Sequence, residues 1–369
     1  MNFEYTEEQR LLAESVRRFL ARDYGFDSRA RILASPEGMS AAAWSELAGL
    51  GLLGLGLPAE YGGFGGGALD LMGVMEAFGE ALVLEPYLST VVGAQFIARG
   101  GTQEQRGKLL PAIAEGALKL ALAHTERESR YDLGRVATRA QRDGTGYVID
   151  GEKLAVVDGP HADKLVVTAR EGDRLILLLV DAESPGLRQV PAGMLDGHRG
   201  CDVGFEAVRV GADAVVGHLQ VLEEVVDFAT ALVCAEAVGA MRYANDTTLE
   251  YLKARKQFGV PIGSFQALQH RMVDMVIECE QARSMASLAC ARVDARLAPA
   301  ERKRVVSLAK IKVSDACRQV SQEAVQLHGG MGMTEELKVS HTFRRLTMIG
   351  QTFGDAEHHL ERFAQRAGA

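Results

Sequence analysis

The sequence predicts a mainly α-helical protein with a β domain in its middle. Three observations carry this. "TEEQRLLAESVRRFL" opens with Thr6 and Gln9 in capping-box spacing, and a helical stripe of Leu11, Leu12, Val16, Phe19 and Leu20 follows. "GYVIDGEKLAVVDG" alternates apolar and polar residues instead, with Asp150-Gly151 between two such runs, a short-range hairpin signal. Beyond Leu219 helical spacing returns, with Phe265, Leu268, Met272, Met275, Val276 and Cys279 at i, i+3, i+4 and i+7 intervals.

The elements between these landmarks follow the same logic. "GLLGLGLPAEYGGFGGGALDL" interrupts the first helical third with glycines, and "LMGVMEAFGEAL" resumes it. The texture changes near Leu118. "DKLVVTAR" and "DRLILLLVD" read as strands, with turns at Gly172-Asp173 and Pro185-Gly186. After the β segment, the long tract from "LACARVD" to "QLHGG" gives two helices broken at Pro299. The resulting segments are an N-terminal helical domain over 1–118, a β domain over 119–217 and a helical bundle over 218–369. No internal repeat or low-complexity linker interrupts them.

Composition narrows the function classes. With 47% hydrophobic and 24% charged residues over 369 positions, the chain can bury a large core without disulfides or metal. A net charge of -8 excludes a general nucleic-acid or membrane-surface binder, because phosphate backbones demand a basic face. The five cysteines stand singly, with no C-x-x-C, which fits a reducing compartment. "MNFEYTEEQR" is acidic where a signal or transit peptide is basic, and no apolar run is long enough to span a bilayer, so the expected location is the cytoplasm.

Four motifs invite chemistry, and each has a plainer reading. "YGGFGGGALDL" matches G-x-G-x-x-G but lacks a preceding strand, so it reads as an inter-helix turn. Arg255 stands at a helix end before Phe258, Gly259 and Pro261. There it either offers a planar fork to a phosphate or carboxylate, or serves as a solvated cation on the helix dipole. Gly329-Gly330 ends a long helix, as a C-cap or as a close approach to a ligand. "TFGDAEHH" gathers Asp355, Glu357, His358 and His359, but His358 and His359 point about 100° apart on a helix. Asp355 and His358 lack a third ligand, so no metal is expected; Asp355 reads as a helix N-cap.

The order of "TEEQRLLAESVRRFL", "LPAEYGGFG", "GYVIDGEK", "ARKQFGVPIGSFQALQHRMVDM" and "AVQLHGGMGMTEE" resembles the acyl-CoA dehydrogenase family over essentially the whole chain. The resemblance implies a helical domain, a β-barrel or sandwich domain and a four-helix bundle. It also implies FAD, an acyl-CoA thioester substrate, an electron-transfer acceptor, and dimers or dimers of dimers. The family reaction is α,β-dehydrogenation: a carboxylate removes the α-proton while the β-hydride passes to flavin. A thioester α-proton is weakly acidic, so the base must be desolvated and the developing enolate hydrogen-bonded.

Carried over residue by residue, the family pattern places Phe353 at the usual position of the catalytic Glu, with Gly354 on the family glycine. The minority position, on the first long bundle helix, falls on Ala229, with Thr230 in the slot of a family Arg. No catalytic base is therefore identified. "TERESRYDLG" keeps only Thr125-Glu126 of the segment around the flavin ring, and Ala155 and Val157 replace a tryptophan and a threonine. Arg255, Phe258, Gln326, Gly329 and Gly330 do match the residues that hold the neighbour's FAD pyrophosphate and adenosine.

This asymmetry implies a degenerate subunit of a heteromeric acyl-CoA dehydrogenase, sharing FAD across an interface with a homologous catalytic subunit. The tail "FGDAEHHLERF" resembles small subunits of pimeloyl-CoA-type and sterol side-chain-type enzymes. Three alternatives stay open: a homo-oligomeric dehydrogenase whose base has moved to Asp355 or Glu357, a flavin-dependent monooxygenase of the same fold, and a scaffold without flavin.

Overall fold

The computed structural model describes residues 5–295 and 297–364. Helices come first, a sheet occupies the middle and helices return. The leading helices are α1 (Glu7–Asp23), α2 (Phe26–Ala34), α3 (Ala41–Gly49), α4 (Ala68–Ala81), α5 (Tyr87–Gly100) and α6 (Gln103–Ala114). The strands are β1 (Leu120–Ala123), β2 (Arg139–Asp143), β3 (Gly146–Val157), β4 (Lys164–Glu171), β5 (Arg174–Asp181), β6 (Leu187–Gly193), β7 (Arg199–Val210) and β8 (Val215–His218). Then come α7 (Leu219–Ala254), the short strands β9 (Lys256–Gln257) and β10 (Val260–Pro261), α8 (Gln266–Asp294), α9 (Pro299–His328), α10 (Lys338–Gln351) and α11 (Ala356–Ala364).

The chain divides into two compact units. One comprises described residues within Met1–Arg31, Ala68–Val83 and Thr230–Ala369, and the other Ile32–Gly67 and Leu84–Ala229. In the second unit the sheet runs in the order β6-β7-β3-β2-β4-β5-β8, with β1 parallel to β4. Alternate residues such as Ile149, Leu165, Val167, Ile176, Leu178, Val203 and Phe205 fill its core. Gly93 lets α5 lie close on β1, since a Cβ there would sit 2.4 Å from Leu120 Cβ.

Asp150-Gly151 is not a hairpin turn. β3 runs straight through it, paired to β2 on one side and β7 on the other, and Gly151 marks a register shift against β7. The hairpin turn lies one strand earlier, where Asp143 pairs with Gly146 across Gly144-Thr145. A β-bulge demands the same glycine chemistry as a turn, which is why the sequence signal misplaces it. The Gly172-Asp173 turn does close β4 on β5, with Glu171 opposite Arg174.

In the first unit α1 carries the expected capping box of Thr6 and Gln9. Its buried face is Ala13, Val16, Phe19 and Leu20, whereas Leu11 is exposed. On α8 Met272, Met275 and Cys279 are buried while Val276, and Phe265 at the N-cap, are exposed, so the apolar stripe is wider than the face it buries. Helices α4 and α7 cross at a reciprocal glycine pair. A Cβ on Gly79 would lie 1.9 Å from the Glu236 carbonyl oxygen, and one on Gly239 would lie 1.8 Å from that of Glu76. Both neighbouring carboxylates are buried and paired. Glu76 accepts from Tyr5 Oη at 2.9 Å and Arg242 Nη2 at 2.9 Å, and Glu236 takes a two-pronged contact from Arg345 at 2.6 Å on each oxygen.

Gly239→Ala should therefore lower stability by about 2–3 kcal/mol by forcing the backbones apart. Gly107→Ala, where an added Cβ meets nothing within 4 Å, should be neutral or slightly stabilising. Denaturant unfolding followed by circular dichroism compares the two.

Candidate functional site

The stretch between α10 and α11 is held by side chains from α9. Lys310 is completely buried, and its ammonium shares its three N–H donors among four oxygens: the carbonyls of Ile349 (2.9 Å), Gly350 (3.0 Å) and Gly354 (2.8 Å), and Ser314 Oγ (3.1 Å). It thus supplies donors to carbonyls that the end of α10 leaves open. Burial lowers its pKa below the ordinary lysine value, against the opposing pull of Cys234, Cys317 and Asp355.

His359 holds the same turn from the other end. Nε2 lies 3.0 Å from the Phe353 carbonyl, which can only accept, so Nε2 carries the hydrogen and Nδ1 receives the Ser307 hydroxyl at 3.3 Å. Burial first, then the Lys310 charge, pushes its pKa down to about 2, which keeps the ring neutral.

These contacts fix what the turn presents. Phe353 sits half-buried at φ +58, a left-handed conformation unusual for an aromatic residue, and Gly354 follows at φ +113. A Cβ on Gly354 would lie 2.6 Å from the His358 ring and 2.7 Å from that of His359. Asp355 Oδ1 accepts the His358 N–H at 2.8 Å, the N-cap of α11 expected from sequence, while Glu357 is exposed. His358 and His359 meet edge to face rather than converging on one point. Among the described residues, no group of three His, Cys, Asp or Glu could hold a metal ion. Ala229 and Thr230 are both fully buried on α7.

From the sequence, His359 enters only as a weighed and rejected metal ligand, and Lys310 is not singled out. The signal was present for Lys310: it falls on the buried α9 stripe of Val306, Val313, Cys317 and Val320, where a lysine needs fixed acceptors.

The five residues matched to a cofactor's phosphate end lie at or just past the ends of α7 and α9 in the same unit. Tyr251 near the end of α7 stacks on His328 at the end of α9, with centroids 4.5 Å apart, bringing the two helix ends together. Arg255 follows the first end, and Gly329 (φ +62) and Gly330 follow the second. Arg255 and Gln326 are exposed, with no side-chain partner among the described residues. A Cβ on either glycine would meet nothing within 4 Å. Phe258 and Gly259, at φ +54 and +80, make the two-residue turn of the β9–β10 hairpin, and Phe258 is 92% exposed.

In the β unit, Glu126 accepts from Lys153 (2.6 Å), the Ala137 N–H (2.6 Å) and the Thr138 N–H (3.1 Å). It anchors the sheet and is not open to a ligand. Ala155 is exposed at φ +50 with its N–H given to Asp202 Oδ1 at 2.9 Å, and Val157 has no side-chain donor.

Models of the acyl-CoA dehydrogenase N-terminal, middle and C-terminal domains match residues 6–117, 121–208 and 218–368. The chain is 32% identical to acyl-CoA dehydrogenase FadE12 of Mycobacterium tuberculosis over 356 residues, which cover 92% of this chain and 90% of the relative. It belongs to the acyl-CoA dehydrogenase family. Among solved structures of similar fold, a variant of the Tcur3481-Tcur3483 steroid ACAD aligns with TM-score 0.91 and 31% identity, covering 98% of this chain and 99% of the other. The ChsE4-ChsE5 complex from Mycobacterium tuberculosis aligns with TM-score 0.93 and 25% identity, covering 100% and 99%. Family membership makes the protein an oxidoreductase of the acyl-CoA dehydrogenase type, with FAD as the family cofactor. Among the described residues no helix is long and apolar enough to cross a membrane.

The lock on the turn has a pH signature. His359 binds a proton in the unfolded chain near pH 6.5 but resists one in the fold, so its contribution is full above that pH and declines as pH falls. His359→Gln should flatten stability against pH below about 6.5, by up to about 1.4 kcal/mol per pH unit. Lys310→Met should cost about 2–3 kcal/mol, because buried carbonyls lose their donor. Urea unfolding between pH 4 and 8 measures both.

Proposed function

We propose that this chain is the subunit of a heteromeric acyl-CoA dehydrogenase that lacks the catalytic base and holds the phosphate–adenosine end of an FAD shared with a homologous catalytic subunit. The observation that carries this reading is Phe353. The position matched to the family Glu holds a phenyl ring, and a phenyl ring cannot take a proton. Asp355, the nearest carboxylate in sequence, has one oxygen engaged in capping α11.

The residues present fit the two ends of FAD unequally. At the phosphate end, the Arg255 guanidinium has no side-chain partner among the described residues and can make a forked, charge-assisted contact with a diphosphate. Gln326 adds an exposed amide, and Gly329 and Gly330 leave room for close backbone approach. Phe258, on the hairpin that follows Arg255, offers an exposed apolar surface. At the ring end, Ala155 gives no aromatic wall and Val157 no hydroxyl. When bound, FAD supplies the acceptor for the substrate's β-hydride. In this reading the chain's own residues grip and orient, and proton removal falls to the partner.

Two structural relatives are described by paired names, ChsE4-ChsE5 as a complex and Tcur3481-Tcur3483 as a steroid ACAD. They support a two-chain assembly and a bulky, steroid-like acyl-CoA substrate. The organisation into 1–118, 119–217 and 218–369, an electron-transfer acceptor and a cytoplasmic location belong to the same reading.

Co-expression with neighbouring acyl-CoA dehydrogenase reading frames tests it. The lone chain should purify nearly flavin-free, and the assembly should carry FAD and turn over acyl-CoA. Arg255→Met should loosen FAD in the assembly roughly 10- to 100-fold, the loss of a charge-assisted contact worth about 1.5–3 kcal/mol. A lone chain that carries stoichiometric FAD and oxidises acyl-CoA would refute the proposal.

A further inference from the structure

A separate feature lies in the β unit, independent of the cofactor reading. After α2 the chain crosses residues 33–38 without helix or strand beyond Ala34, and two side chains of the β unit fasten this crossing. Arg199, at the start of β7, donates from Nη2 to the carbonyls of Ser35 (2.9 Å) and Leu33 (3.3 Å). Gly38, at φ +67, lies so close that a Cβ there would be 2.3 Å from Arg199 Nε. His161, in the short turn after β3, places Nε2 2.7 Å from the Glu37 carbonyl.

The two ring nitrogens of His161 face unlike constraints. A carbonyl oxygen only accepts, so Nε2 must carry a hydrogen. On the other side Nδ1 stands 3.9 Å from Asp158 Oδ1, and both side chains are largely buried at 7% and 4% exposure. Asp158 Oδ2 is engaged by the Ser89 hydroxyl of α5 at 2.5 Å, whereas Oδ1 and Nδ1 have no hydrogen-bond partner. A neutral ring with its hydrogen on Nε2 would turn a lone pair toward a buried carboxylate. A ring with both nitrogens protonated meets an acceptor on each side.

We propose that His161 is held as an imidazolium bridging Asp158 to the Glu37 carbonyl, a proton-dependent clasp that fastens residues 33–38 to the β domain. The groups facing it are Asp158 on its own turn, with Ser89 of α5 behind it, Arg199 of β7 and the Glu37 carbonyl. The Glu37 carboxylate is exposed. Burial disfavours the charge and Arg199 opposes it, but the Asp158 and Glu37 contacts outweigh both and raise the pKa above the ordinary imidazole value. The sign follows from linkage: the clasp is fully made below the unfolded-state value and loosens as pH rises through the higher folded value.

Long-range proton–nitrogen spectra of the full chain, with the His161 signals assigned by their loss in His161→Gln, test the charge directly. Both nitrogens should be protonated at pH 6.5, with a midpoint above the ordinary value of about 6.5 that falls in Asp158→Asn. Hydrogen exchange of the peptide covering 33–38, corrected for intrinsic rates, should be slower at pH 6 than at pH 8.5, and that contrast should vanish in His161→Gln. A His161 midpoint at or below the ordinary value, or equal protection of 33–38 at both pH values in the wild type, overturns the proposal.

Discussion

One buried ammonium sets the geometry on which the candidate site depends. Lys310 reaches three carbonyls spread across the end of α10 and the turn beyond it, so this backbone cannot shift without stranding either the cation or its acceptors. His359 closes the same stretch through the Phe353 carbonyl. With both ends fixed, the side chains the turn can present are settled by residue type alone. A reshaped turn that swings Asp355 into the place of Phe353 would have to give up the α11 cap and the contacts of Lys310 together.

That rigidity bears on the proposed role of the turn. It holds Gly354 and its supports in place while Phe353 presents an aromatic ring. The corner formed by the ends of α7 and α9 carries an arginine and an amide with no side-chain partner among the described residues, and two open glycines. Exposed donors at one corner and an aromatic ring at the other turn are the two features on which the proposed half-site rests.

The sequence made the order of helix, sheet and helix legible, because hydrophobic period changes sharply near Leu118 and again near Leu219. It also made the Asp355 cap legible, through spacing alone. It misplaced the Asp150-Gly151 turn, since glycine serves bulges and turns alike and only the pairing of β3 on both sides tells them apart. It counted Leu11 and Val276 into buried stripes because periodicity gives an angle and not the width of the neighbouring surface. The roles of Lys310 and His359 were out of reach for a different reason. Their partners are backbone carbonyls, far along the chain in the case of Lys310, and sequence type says nothing about where carbonyls point.

The central claim is that no carboxylate of this chain takes the substrate's α-proton. The direct measurement is exchange of acyl-CoA α-protons with deuterated solvent, followed by mass spectrometry on the isolated chain supplied with FAD, using a steroid-type acyl-CoA. Exchange no faster than in buffer is the expected result. Enzyme-dependent exchange that disappears in Asp355→Asn or Glu357→Gln would contradict it.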